Sequence, residues 1–235
     1  MNLHLELLLS RAYDGALVPA HREDLEQSGL TKEMIQAQFI RSVPPHLIGP
    51  LLGHDIPAIR SALLFPFRAP AGGFMDHARM KIFPTLVKVT RNGVTRWVPE
   101  AELAAPDIKH ETVKYLQPKG SEPHLYFIAG CLRDVLEGDA PVWAVEGEKK
   151  AACVGQLGLP TVGFCGVEGW HHRGTTALLP DFEALRLRDR IVELVPDGDY
   201  QTNPDVKRAI QRFGGALLAR GARPRVVLLP SELPR

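Results

Sequence analysis

From residue 141 onward the chain alternates short apolar runs with stretches of helical periodicity, and this alternation narrows the possible folds more than any other feature. Residues 142–145 read as a strand, 148–157 as a helix ended by Gly158, and 161–164 as a second strand. After a glycine-rich connection, 175–187 is predicted as a helix, 191–195 as a third strand, 205–220 as a helix closed by Gly221, and 225–229 as a fourth strand. Such alternation predicts right-handed crossovers and a parallel sheet with helices on both faces. Ligands of these sheets collect outside the carboxyl ends of the strands.

The acidic residues stand at those ends. The first run leads directly into Glu146-Gly147-Glu148, and the third passes through Pro196 into Asp197-Gly198-Asp199. Along an extended segment Asp197 and Asp199 point the same way, with Gly198 leaving room between them. Three carboxylates on two neighbouring tips repel one another, and a hard divalent cation, usually magnesium, is their natural occupant. Glu148 reads as a first-turn helix acid favoured by the macrodipole. Lys149 and Lys150 read as helix-face charges, with contact to a bound phosphate as the alternative. His171 and His172 lack a third ligand at zinc spacing, so no zinc site is expected. Gly163, Gly166 and Gly169 do not follow GxGxxG spacing and read as a tight turn near the acids.

Before residue 140 the texture differs. Prolines at 44, 45, 50, 57, 66, 70, 84, 99 and 106 interrupt nearly every periodic run, so regular elements there should be short. Residues 22–27 and 31–40 look like two helices joined at Ser28-Gly29, the second capped by Thr31, and a pair of that size would form a small lobe. Residues 62–67, 79–83, 86–90 and 94–98 read as antiparallel strands, with Asn92-Gly93 as a two-residue hairpin turn. The expected organisation is an α+β lobe over 1–140 followed by an α/β domain over 141–235.

Three segments carry a resemblance: VWAVEGEKKAACVGQLG, TVGFCGVEGW and IVELVPDGDYQTNPDVKRAI. They are similar to the three blocks of the TOPRIM domain shared by bacterial primases, topoisomerases and some nucleases. Upstream, Leu64 to Phe67, Arg79 to Lys81, Lys114 to Pro118 and Leu125 to Phe127 follow the motif order of the basic lobe that precedes TOPRIM in bacterial-type primases. The whole resembles the primase-like TOPRIM proteins of phage and plasmid replication, in which an EGEKKA block is usual. The resemblance implies a TOPRIM-type, Rossmann-like parallel sheet with flanking helices, preceded by a smaller mixed α+β basic lobe.

It also implies a magnesium- or manganese-dependent nucleotidyltransferase acting on DNA. Glu146 would serve as general acid/base or metal carboxylate, with Asp197 and Asp199 holding the metal. Arg79, Lys81, Lys114 and Lys119 would contact template or triphosphate oxygens, Lys149 is carried with them, and Tyr115 or Tyr126 would stack a base. Single-stranded DNA and nucleoside triphosphates are the implied partners, with a replicative helicase as a further candidate. A TOPRIM nuclease and a non-catalytic nucleic-acid or nucleotide-binding module remain the alternatives. The chain departs from the primase pattern at Lys150, where an acidic residue is usual, and lacks the acidic pair expected beyond the last strand.

Charge and cysteine content set limits on these readings. Lys and Arg number 28 against 27 Asp and Glu, a formal charge of +1, so any surface for a polyanion has to be a local patch. Cys131, Cys153 and Cys165 form no CxxC pair, which argues against a disulfide framework or a zinc ribbon and suggests buried small hydrophobes. No apolar run approaches the roughly 20 residues of a membrane span. Residues 1–9 make a poor signal peptide, and the expectation is a cytoplasmic protein without a membrane partner.

Overall fold

A computed structural model of the chain describes residues 5, 17–91, 94–103 and 111–228. Contacts divide the chain into two compact units. One comprises Met1–Glu23, Phe39–Pro66 and Met75–Ser121; the other comprises Asp24–Gln38, Phe67–Phe74 and Glu122–Arg235. The single boundary expected at residue 140 is therefore replaced by an interleaved division, in which two early segments join the carboxyl-terminal unit.

The first unit is built on an antiparallel sheet. Its strands are β1 (Arg41–Val43), β2 (Ser61–Arg68), β3 (Phe74–Arg91), β4 (Val94–Pro99) and β5 (Glu111–Leu116), in the order β1-β2-β3-β4 with β5 also paired to β3. The two strands expected at 79–83 and 86–90 are one, β3, whose register against β5 shifts between Lys81 and Leu86. Pro84 lies in that interval; without an N–H it cannot donate to a ladder, which places the irregularity there. Strand β4 pairs back on β3 up to Arg91 opposite Val94; the predicted Asn92-Gly93 turn itself lies outside the described residues.

Among the described residues the helices of the first half are α1 (Pro19–Gln27), α2 (Lys32–Ala37) and α3 (Pro45–Leu52). The proline-rich texture concealed α3, which tolerates Pro45 in its first turn, where the missing N–H costs nothing. Its Ile48, Leu51 and Leu52 form one core cluster with Ala62, Leu64, Ala78, Met80, Ile82 and Leu86 of the sheet. Alternation along β3 thus buries 78, 80 and 82 on one face and sends 79 and 81 to the other.

The second unit holds a mixed five-stranded sheet in the order β10-β9-β7-β8-β6. Strands β7 (Val142–Glu146), β8 (Thr161–Phe164), β9 (Ile191–Val195) and β10 (Arg223–Val226) run parallel. The edge strand β6 (Tyr126–Phe127) runs antiparallel to β8 and was not anticipated as part of this sheet. Helix α4 (Leu132–Glu137) precedes β7, α5 (Glu148–Gly155) joins β7 to β8, and α6 (Pro204–Ala219) joins β9 to β10. The helix predicted over 175–187 is absent; only a 3-10 turn, Pro180–Ala184, forms there. Pro180 opens the turn and lacks the donor that a longer helix through it would require.

Close packing positions α5 against the sheet. A Cβ at Gly163 would lie 2.9 Å from the Ala151 Cβ and 3.1 Å from the Tyr126 Cβ, so this glycine sits within β8 for closeness, not in a turn. Behind the sheet, Phe213 of α6 stacks on Trp170 at 5.1 Å and meets Phe164 and Phe182 edge-on. The buried Glu193 of β9 pairs with Arg225 directly across on β10. Among the described residues no helix is long and apolar enough to cross a membrane.

The α1–α2 pair is not a lobe of its own, because α2 and the end of α1 are sewn to the second unit. Gln38 donates to the Phe127 carbonyl at 3.1 Å and accepts from the Ala129 N–H at 2.8 Å. Gln156, after α5, donates to the Gly29 carbonyl at 2.7 Å and accepts from the Thr31 N–H at 3.0 Å.

Candidate functional site at two strand tips

Strand order determines where the acids meet. From β7 the chain crosses through α5 to β8 on one side, whereas from β9 it crosses through α6 to β10 on the other. The carboxyl ends of β7 and β9, which are paired neighbours, therefore flank the point where winding reverses, the usual ligand crevice of such sheets. Glu146 ends β7, and Asp197 follows β9 by two residues.

The two tips touch. Glu146 Oε2 accepts the backbone N–H of Asp197 at 3.2 Å. Asp197 in turn receives the Lys150 ammonium. Burial pushes the Glu146 carboxyl above the usual carboxylate range, with Lys150 opposing the rise and the Asp199 charge adding to it. The same burial draws Lys150 down, against the attraction of Glu146, Glu148 and Asp199.

Asp199 departs from the expected geometry. The chain does not stay extended after Asp197 but turns into a 3-10 segment, Gly198–Gln201, so the two aspartates do not share one strand face. Asp199 is exposed, and its Oδ2 accepts from the Asn203 side chain at 2.9 Å. Among the described residues no group of three or more His, Cys, Asp or Glu side chains is gathered to hold a metal ion. Asp197 carries an ammonium, and Asp199 bonds within its own loop while its charge still acts on Glu146 and Lys150.

The adjacent lysines diverge. Lys149, expected as a phosphate contact, is bound to Asp24 Oδ2 at 3.0 Å and Ser28 Oγ at 2.8 Å, and only 16% of its side chain is exposed. That commitment makes it an anchor for α1. Glu148 is 2% exposed and accepts the Cys165 thiol at 3.2 Å, so it is a core acid of the first turn. Of the three cysteines Cys131 alone is buried; Cys153 and Cys165 are partly accessible, a departure from the reading of all three as buried hydrophobes. His171 pairs with Glu168 and His172 with Glu122, each at 2.9 Å.

In the first unit, Arg79 and Lys81 share the sheet face opposite the apolar core. The Arg79 guanidinium lies 5.2 Å from the Tyr115 ring centroid, and the Lys81 ammonium lies 5.2 Å from that of Phe83. Tyr115 is partly exposed and 6.1 Å from Phe65, while Lys114 and Lys119 are exposed. Tyr126 is fully buried and packs edge-on against Phe67 at 5.0 Å, which removes it as a base-stacking residue.

A structure of the Aquifex aeolicus primase, with its zinc-binding and RNA polymerase domains, aligns with a TM-score of 0.55 at 13% identity, over 92% of this chain and 51% of that one. The fold is similar to that of bacterial primases. The RNA polymerase domain of the Mycobacterium tuberculosis primase DnaG, solved with a double-stranded DNA oligomer bearing a 6-nucleotide overhang, gives 0.52 at 16% identity, over 96% of this chain and 71% of that one. The chain spans about half the length of the Aquifex primase structure. A family model described as a domain of unknown function, DUF3854, matches residues 132–234. No curated protein matches the chain.

The residue that sequence reasoning underrated is Lys150. Its signal was present: it stands in the first turn of α5, and side chains there lean back toward the helix N-terminus, which is the β7 tip.

Proposed function

We propose that this chain is a TOPRIM-type, primase-like nucleotidyltransferase acting on DNA. The observation that carries the reading is the contact of Glu146 with the Asp197 backbone at the switch point of the sheet, in a fold similar to primases. Glu146, partly withdrawn from water, is suited to hold or release a proton at the reacting centre. Arg79, Lys81, Lys114 and Lys119 supply positive charge for phosphate oxygens, and Tyr115 offers a ring on which a base can stack. Single-stranded DNA and nucleoside triphosphates are the proposed partners; the DNA held by the mycobacterial primase structure supports the first. A cytoplasmic role in mobile-element replication, beside a replicative helicase, belongs to the same proposal.

No step in this reading is routed through magnesium, because among the described residues no group of three or more His, Cys, Asp or Glu side chains is gathered to hold it. A second reading, a nucleic-acid-binding module without turnover, is favoured by the neutralisation of Asp197 by Lys150. Primer synthesis on single-stranded DNA with magnesium or manganese separates the two. Short products that disappear in Glu146→Gln and Asp197→Ala are expected. Salt-sensitive DNA binding without product would favour the binding module, and cleavage of plasmid or linear DNA would point to a nuclease instead.

A further inference from the structure

By ordinary helix rules Lys150 is misplaced. The N-terminus of a helix carries partial positive charge and disfavours a cation in its first turn, yet α5 begins at Glu148 and Lys150 is its third residue. The backbone accommodates the side chain. Gly147 has φ +88°, and a Cβ there would lie 3.3 Å from Lys150 Cε, so the glycine leaves room for the lysine stem to run back over the β7 tip. At the end of that path the ammonium pairs with Asp197, the Lys150 side chain as a whole being 49% exposed. Glu146 is joined to the same residue through the Asp197 N–H.

Resting on the reading of these tips as the reacting centre, we propose that the Lys150 ammonium is the resident cation of the carboxylate cluster and stands where a divalent ion would neutralise Asp197. A divalent ion then binds there only by displacing it. Magnesium needs carboxylate oxygens at about 2.0–2.1 Å in octahedral geometry, and an ammonium seated on the same oxygen opposes it by both charge and space. Local rules broken at a functional site are commonly offset elsewhere; here the offset is the pairing with Asp197 and the attraction of Glu146, Glu148 and Asp199 for the ammonium.

The test is manganese binding by the full chain, read by electron paramagnetic resonance of the free ion and by calorimetry, for the wild type, Lys150→Met, Lys150→Gln and Lys150→Arg. Lys150→Met and Lys150→Gln are expected to bind manganese about tenfold more tightly than the wild type, ~1.4 kcal/mol by the standard conversion. Lys150→Arg should stay at the wild-type value, and adding Asp197→Asn to Lys150→Met should erase the gain. The melting temperature of Lys150→Gln should rise with manganese and fall with a chelator, by more than that of the wild type. Equal affinity in all four proteins, or binding in none, overturns the proposal. Primer synthesis does not enter these measurements. The competition can therefore hold in a protein that makes no primers, or fail in one that does.

Discussion

In the antiparallel sheet, Arg79 and Lys81 alternate with Ala78, Met80 and Ile82 along a single strand, whereas in the mixed sheet Glu146 is the last residue of one strand and Asp197 stands two residues past the end of its neighbour. A face display of this kind is local: each side chain is aimed by the two-residue period of its own strand. A tip display is not, because it requires two strands of the right length to be neighbours with their ends in register. Charges on the face should therefore be removable one at a time, while the tips should respond to anything that shifts a strand or the helix behind it.

The sharpest way to break that contrast is Phe213→Ala. The ring is fully buried between Trp170, Phe164 and Phe182, and its loss should cost about 3–5 kcal/mol of unfolding free energy in urea titrations. Loss of less than about 1 kcal/mol would show that the aromatic cluster does not hold the parallel strands in place.

Next in size is Gly163→Ala, which crowds Ala151 and should cost about 1–3 kcal/mol. It should also disturb the α5 start, and with it the Lys150 pair, while leaving the salt dependence of DNA binding unchanged. A changed salt slope would break the separation of tip from face.

A smaller effect concerns Tyr126. Burial raises its phenol pKa above the usual value, so in the folded chain the group stays protonated where the unfolded chain begins to ionise near pH ~10. Its contribution is complete below that pH and is lost as pH rises toward the folded value. Unfolding measured from pH 8 to 11 should show Tyr126→Phe losing less stability than the wild type, by up to ~1.4 kcal/mol per pH unit above about 10.

The smallest effect is expected on the face. Replacing Lys81 by Ala should reduce the slope of log affinity against log salt for single-stranded DNA by about 0.7, the value for one phosphate contact. An unchanged slope would remove Lys81 from the interface, and Arg79→Ala repeats the test one pleat away.

Much of the second unit was legible because its strands are short, apolar and bounded by glycine or proline. Residues 142–145, 161–164 and 191–195 form strands within one residue of expectation. The helix ended by Gly221 was equally readable, since its apolar positions at Val206, Ala209, Ile210, Phe213 and Leu217 keep helical spacing. Residues 175–187 misled because their apolar spacing permits a helix that Pro180 interrupts. The proline-rich half misled in the opposite sense, since Pro45 at a first turn and Pro84 at a register shift are both compatible with regular structure.

The candidate site divides along the same line. Sequence alone determined that Glu146 and Asp197 would end strands, because apolar runs that stop at Glu-Gly and Pro-Asp-Gly leave the acids at the tips. Only the tertiary structure decided that β7 and β9 are neighbours with winding reversed between them, that Asp199 sits in a 3-10 segment and accepts from Asn203, and that Lys149 and Lys150 part company toward Asp24 and Asp197. The reason is physical: strand character is a property of nearest neighbours along the chain, whereas the partner of a charge is set by which surfaces happen to pack beside it, and successive helix positions, about 100° apart, face different surfaces.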